Sequence, residues 1–246
     1  MFEITYAIEP NRLMLIWQSG NPIIRKRFVV GELIRAFDKV CLSYNYYTED
    51  FYEAVAAGFT GHPAFKLDTP VHHYNVVEVF SRRLPARNRA DFSKYLQKHR
   101  LTTSIAISDF ALLGYTGAAL PGDGFQCAID YRFETTPHLF LMEVAGFRYN
   151  AGMDLEISSI TQQVVNFVPD DHNEFDPYAV RILMSGIPIG YVPRYYAKIM
   201  RSWLKNCMVM AFVERIDGTL TKPQVHVAVS VVAHSGQYMQ KIPTLL

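Results

Sequence analysis

The chain has 246 residues, half of them apolar and 13% aromatic. It is long enough for two ordinary domains and too apolar for wholesale disorder. Lys and Arg number 24 against 23 Asp and Glu, a formal net charge of +1. Bulk charge thus argues neither for nor against a nucleic-acid partner, and only local patches can.

Cys41, Cys127 and Cys207 are far apart and form no Cys-x-x-Cys. Neither a disulfide framework nor a zinc ribbon is expected, and a reducing compartment is the simpler reading. The opening Met-Phe-Glu-Ile-Thr-Tyr lacks a basic start and an apolar run, so no secretory signal is read. No apolar run approaches the roughly 18 residues of a membrane span. The expected setting is soluble and cytoplasmic.

Taken in chain order, residues 13–18, 27–34 and 39–46 read as strands, with Asn21-Pro22 as a turn. Residues 49–57 carry helical spacing behind Thr48, an N-cap residue, with Gly58 as a stop. A second helix is expected over 91–99. Ser108 caps a third that ends at Gly114. Pro121-Gly122-Asp123-Gly124 is a tight turn, with strand-like residues over 125–133.

Glu134-Thr135-Thr136-Pro137-His138 is short, polar and broken by proline. It divides the chain into candidate domains 1–136 and 137–246. Short strands follow at 139–144, 163–167, 179–184, 187–192, 209–215 and 225–232, with a Ser185-Gly186 hairpin signal and a single helix. The fold class read from this order is α+β. A mixed α/β domain precedes a small, closed or nearly closed OB/SH3-like β-barrel carrying one or two helices.

The densest motif runs Val168-Pro169-Asp170-Asp171-His172-Asn173-Glu174-Phe175-Asp176-Pro177-Tyr178-Ala179-Val180, then Ile189-Gly190-Tyr191-Val192-Pro193-Arg194. An acidic, Asn-containing turn enters an apolar strand, and Gly-Tyr-Val-Pro opens a helix. With Phe147-Arg148-Tyr149-Asn150-Ala151-Gly152 upstream, these ordered elements resemble the HIRAN domain over roughly 139–232. That family is a small barrel whose better-known members hold the 3′ end of single-stranded DNA.

The resemblance implies that Arg148 and Arg194 contact phosphates and that Tyr149 and Phe175 stack on bases. It implies that Asp176 accepts a hydrogen bond from a terminal 3′-hydroxyl or a base edge, in a turn begun by Asn173, with Tyr191 beside the ligand. Phe175 stands where Tyr is usual, which keeps the stacking face without the hydroxyl. Tyr191 stands where a polar or imidazole side chain occurs. Aromatic platforms beside a basic groove are how single strands are generally held. For Asn173 and Asp176 the alternative is that they fix the turn through side-chain-to-backbone hydrogen bonds.

After Pro193, the basic residues Arg194, Lys198, Arg201 and Lys205 are spaced by four, three and four. This places them in one stripe of a helix, able to follow a phosphate backbone or simply to face water.

Residues from about 13 to 130 resemble the N-terminal portion of the HipA family of toxin kinases. The matching stretches are Phe28-Val29-Val30-Gly31-Glu32-Leu33, Phe80-Ser81-Arg82-Arg83-Leu84-Pro85, and Phe110-Ala111-Leu112-Leu113-Gly114-Tyr115-Thr116-Gly117. No phosphate loop or kinase catalytic set is present, so the resemblance implies a docking module. Arg82, Arg83, Arg87 and Arg89 form one local basic cluster and Arg25-Lys26-Arg27 another. Either extends a nucleic-acid path, meets an acidic partner or is solvated.

There is no Gly-x-Ser-x-Gly and no His-Glu-x-x-His. His72-His73 on a strand point to opposite faces. Asp170, Asp171 and Asp176 suggest a metal-dependent nuclease only weakly, because the turn explains them. The reading is a non-enzymatic accessory protein without cofactor or metal, recognising single-stranded DNA 3′ ends. Its implied settings are DNA repair, anti-phage defence or toxin–antitoxin regulation, beside a separately encoded helicase, nuclease or kinase. The alternative is a protein-interaction or antitoxin-like module without DNA binding.

Overall fold

The computed structural model describes residues 2–21, 24, 26–37, 39–150, 160–219 and 221–234. Pro22, Arg25, Ala151 and Gly152, named above, lie outside the described residues. The chain forms two compact units, 3–134 and 135–246 with the first two residues.

The first unit is built on a five-stranded antiparallel sheet. Its strands are β1 (Arg12–Gln18), β2 (Arg27–Ala36), β3 (Lys39–Tyr44), β4 (Val71–His72) and β5 (Phe125–Ile129), in the order β4-β3-β2-β1-β5. Strand β1 is apolar along its middle: Leu13, Met14, Leu15 and Ile16 are all buried, as expected of a strand covered on both faces. The helices are α1 (Glu49–Ala56), α2 (Val76–Ser81), α3 (Phe92–Lys98) and α4 (Asp109–Thr116). Thr48 and Ser108 act as N-caps, their hydroxyls accepting from Phe51 N at 3.3 Å and Ala111 N at 3.1 Å.

Two expectations are corrected here. Gly114 does not end α4; it lies inside it, where a Cβ would come within 2.6 Å of Ile129 and Leu13 side chains. Its function is close helix-on-sheet packing, and the helix ends at Gly117, left-handed at φ 75°. The strand expected over 125–133 stops at Ile129, and Tyr131–Phe133 is a 3-10 turn capped by the Asp130 side chain. Helix α2 and strand β4 carried no period long enough to read from sequence.

Within the arginine cluster at 82–89, Arg83, Arg87 and Arg89 are ion-paired and Arg82 is exposed. The Arg83 side chain is only 5% exposed and forks onto Asp123 while donating to the carbonyls of Ala118 and Phe125. Arg87 pairs with Asp109 and Arg89 with Asp91.

The second unit holds β6 (His138–Glu143), β7 (Val164–Pro169), β8 (Val180–Met184), β9 (Ile187–Tyr191), β10 (Cys207–Thr219) and β11 (Lys222–Ala233), in the order β6-β11-β10-β7-β8-β9. One helix, α5 (Arg194–Asn206), joins β9 to β10, and residues Phe147–Tyr149 form a 3-10 turn. Tyr196, Ala197, Met200 and Trp203 bury the inner face of α5, leaving Lys198 and Lys205 outside it.

The expected closed barrel is corrected to an open sheet. Edge strands β6 and β9 do not pair as a ladder; the chain just past β6 meets β9 at a single antiparallel bridge, Ala145 to Tyr191, whose two N–H···O bonds are both 2.8 Å. The physical reason is chain direction. Immediately after Ala145, Gly146 takes a left-handed conformation (φ 72°) and turns the chain away. Gly190 makes the bridge possible: at φ +146°, any Cβ there would lie 2.5 Å from Val144 Cγ1 and 2.6 Å from Ala145 O.

Candidate nucleic-acid interface

Strand register gathers the site. Val168 of β7 pairs with Arg181 of β8, Arg181 pairs with Tyr191 of β9, and Tyr191 bridges to Ala145. Residues directly opposite one another project from the same face of a sheet. One row, Val168–Arg181–Tyr191–Ala145, therefore crosses this face. The Arg148–Tyr149 turn follows one end of the row, and the 170–179 loop follows the other.

That loop is fixed by its own side chains. It closes where Asp170 N donates to Ala179 O at 2.9 Å. Asn173 Oδ1 accepts from the N–H groups of both Phe175 and Asp176 at 3.0 Å, and its Nδ2 donates to Asp170 Oδ2 at 3.1 Å. Asp176 Oδ1 accepts from Tyr178 N at 2.8 Å, leaving the other oxygen without a hydrogen-bond partner among the described residues. Both Asn173 and Asp176 thus shape the turn. Asn173 uses oxygen and nitrogen alike for this, and Asp176 retains one acceptor. The turn thrusts Phe175 into solvent, 88% exposed.

Asp170 is the hub. Its side chain is only 5% exposed and receives Arg181 Nη2 at 2.6 Å, Asn173 Nδ2 at 3.1 Å and the Tyr191 hydroxyl at 3.2 Å. The Arg181 hydrogen bond, reinforced by those of Asn173 and Tyr191, holds its carboxyl below the usual carboxylate range. The same bond raises the Arg181 guanidinium.

At the other end, Arg148 Nη2 donates to the Tyr149 hydroxyl at 2.9 Å, and its guanidinium carbon lies 5.0 Å from the Tyr149 ring centre. Tyr149 is 67% exposed, whereas neighbouring Phe147 is core. Helix α5 flanks the loop. Lys198 Nζ sits 5.3 Å over the exposed Tyr178 ring, and Arg194 is half-buried. Arg201 has a different position: it donates to the carbonyls of Tyr178 and Ala179 and pairs with Asp171. It clamps the loop and presents little free charge.

Residues 138–235 match the family model of the HIRAN domain. Two solved structures are similar to parts of the chain. The crystal structure of the HIRAN domain of human HLTF is 17% identical, covers 39% of this chain and 77% of that one, and gives a TM-score of 0.31. The crystal structure of a protein from Lactobacillus plantarum is 18% identical, covers 40% and 100% respectively, and gives 0.32. No curated protein matches. The HIRAN match begins at the first residue of β6 and takes in every residue named in this site.

Sequence reasoning missed Arg181 and Tyr178. Arg181 had a readable signal: it alternates with buried Val180 and Ile182, so it must point outward on its strand. Tyr178 lay within the motif. Its exposure depends on the Asp176 turn, which spacing alone does not reveal. Among the described residues no three His, Cys, Asp or Glu side chains group as a metal site, and no helix is long and apolar enough to cross a membrane.

Proposed function

We propose that residues 135–234 recognise nucleic acid, and specifically a 3′ end of single-stranded DNA. The observation that supports this is the register row, from one end of which the chain runs into the Arg148–Tyr149 turn and from the other into the Asn173–Asp176 turn. The row and the elements that continue it carry exposed aromatic rings at Tyr149, Phe175 and Tyr178 and cations at Arg148 and Arg181, with Lys198 of α5 over the Tyr178 ring. Rings stack on bases without regard to sequence, and cations follow the backbone. The remaining oxygen of Asp176 favours a terminal hydroxyl, because a carboxylate repels a terminal phosphate. The HIRAN match over the same residues supports this reading.

The activity proposed is binding without catalysis. The first unit serves as a docking module for a separately encoded helicase, nuclease or kinase, in repair, phage defence or toxin–antitoxin regulation. The ion-paired Arg83, Arg87 and Arg89 and the exposed Tyr47, Tyr52 and Tyr74 favour a protein partner over nucleic acid for that unit. The HipA likeness of this unit rests on its sequence motifs.

The test titrates the full chain into labelled single-stranded DNA ending in a 3′-hydroxyl or a 3′-phosphate, following anisotropy at two salt concentrations. Tighter binding to the hydroxyl end, abolished in a folded Arg148→Ala/Tyr149→Ala variant, is the expected result. Absence of salt-dependent binding to either oligonucleotide moves the function to protein interaction alone.

A further inference from the structure

We propose that Arg181 is a further phosphate-binding residue of this face, held in position by Asp170 and lying between the Arg148–Tyr149 turn and the Asn173–Asp176 turn; the inference rests on the nucleic-acid reading. Its placement follows from register. Arg181 is the only cation in the row, two strands from Ala145 and one from Val168. A strand of DNA running from the Arg148–Tyr149 turn to the Phe175 turn crosses it.

The bond to Asp170 accounts for only part of the guanidinium. One Nη2–H meets Asp170 Oδ1 at 2.6 Å, yet 46% of the side chain remains exposed. An arginine carries five N–H donors in a rigid plane. Asp170 and the Tyr191 hydroxyl engage part of this donor set, and the exposed remainder is able to take a second anion. Asp170 meanwhile does not depend on Arg181 alone, since Asn173 and Tyr191 also donate to it.

Pre-orientation lowers the entropy lost when a long side chain binds. It also gives Asp170 a defined role as a positioning residue. Its buried carboxylate ties Arg181, the Tyr191 hydroxyl and the Asn173 turn to one point, so the phosphate site and the stacking turn are held together. Tyr191, directly opposite Arg181, supplies a ring beside the same phosphate.

The experiment measures affinity of the full chain for 3′-hydroxyl oligothymidylate across a salt series, for the wild type, Arg181→Ala, Arg181→Lys and Arg148→Ala. Thermal melting establishes that each variant is folded. Removing one phosphate interaction on a single strand lowers the log–log salt slope by about 0.7. The expected loss of affinity for Arg181→Ala is about tenfold. Arg181→Lys should restore the slope while recovering only part of the affinity, because it lacks the planar fork.

Wild-type slope and affinity in Arg181→Ala, with Arg148→Ala impaired, overturn this inference and leave the nucleic-acid reading standing. Absence of wild-type binding overturns both. Should the alanine variant not fold, Arg181→Gln decides. It is neutral but can still donate to Asp170, and an unchanged slope in the folded Gln variant overturns the proposal.

Discussion

Arg201 holds Ala179 by its backbone: Nη2 donates to the Ala179 carbonyl at 2.9 Å, while Nε takes the Tyr178 carbonyl at 3.0 Å and Nη1 meets Asp171 at 2.6 Å. The clamp ties both ends of the loop, at Asp171 and at Tyr178–Ala179, to helix α5. Arg201→Ala should therefore cost about 1–3 kcal/mol of stability and speed amide exchange over 171–179. Binding should weaken with no change in salt slope, since every phosphate interaction remains. A reduced slope would instead make Arg201 a ligand residue.

Lys198 lies over the Tyr178 ring with its ammonium free to meet a phosphate. Lys198→Ala should leave stability within about 0.5 kcal/mol and lower the salt slope for oligonucleotides by about 0.7. Together with Arg201→Ala this separates the two halves of the α5 stripe by opposite signatures.

Phe175 is almost wholly in solvent, so its removal costs the fold little. Phe175→Ala should melt like the wild type but lose about 1–3 kcal/mol of binding to single-stranded DNA. Phe175→Tyr should bind at least as well as the wild type, because the ring remains. Isothermal titration beside a melting curve checks both.

Gly190→Ala inserts a Cβ 2.5 Å from Val144 Cγ1 and 2.6 Å from a backbone oxygen, at a φ that side chains rarely adopt. The expected destabilisation is about 1–3 kcal/mol, read from chemical denaturation. The bridge between Ala145 and Tyr191 should open before the rest of the sheet.

His138 is buried, and burial pushes its pKa from the usual 6.5 down to about 4. The unfolded chain binds this proton from about pH 6.5 downward, whereas the folded unit resists until about pH 4. Stability should accordingly fall as pH drops through that window, by about 3 kcal/mol in total. His138→Gln should flatten the dependence relative to wild type. In the first unit, His62 is likewise lowered to about 4 by burial, so some slope should remain in the variant.

Helix starts and the 173–176 turn were legible because their signals are local. Thr48 and Ser108 announce helix starts through their own hydroxyls, and Asn173 and Asp176 announce a turn through theirs. The row Val168–Arg181–Tyr191–Ala145 was not legible, because register depends on which strands become neighbours. Residues 145 and 191 are far apart in sequence and meet only once the β6-β11-β10-β7-β8-β9 sheet has formed. The fate of each arginine was hidden for the same reason. Arg83 finds Asp123 and Arg201 finds Asp171 only through the fold, so a cluster of charges in sequence and a patch of charge in space are different things. The barrel expectation counted strands correctly but had no means of seeing that Gly146 turns the chain away before β6 and β9 can zip.

The bridge at Ala145 and Tyr191 works as a clasp two hydrogen bonds wide. The neighbouring junctions in that sheet are ladders of paired strands, so this one has the least to lose on parting. Local opening of this kind sets which amides exchange first. The Ala145 and Tyr191 amides should exchange together, ahead of the long β10–β11 hairpin. A strand of DNA lying across the row would fasten the clasp from outside, slowing both amides although it touches neither.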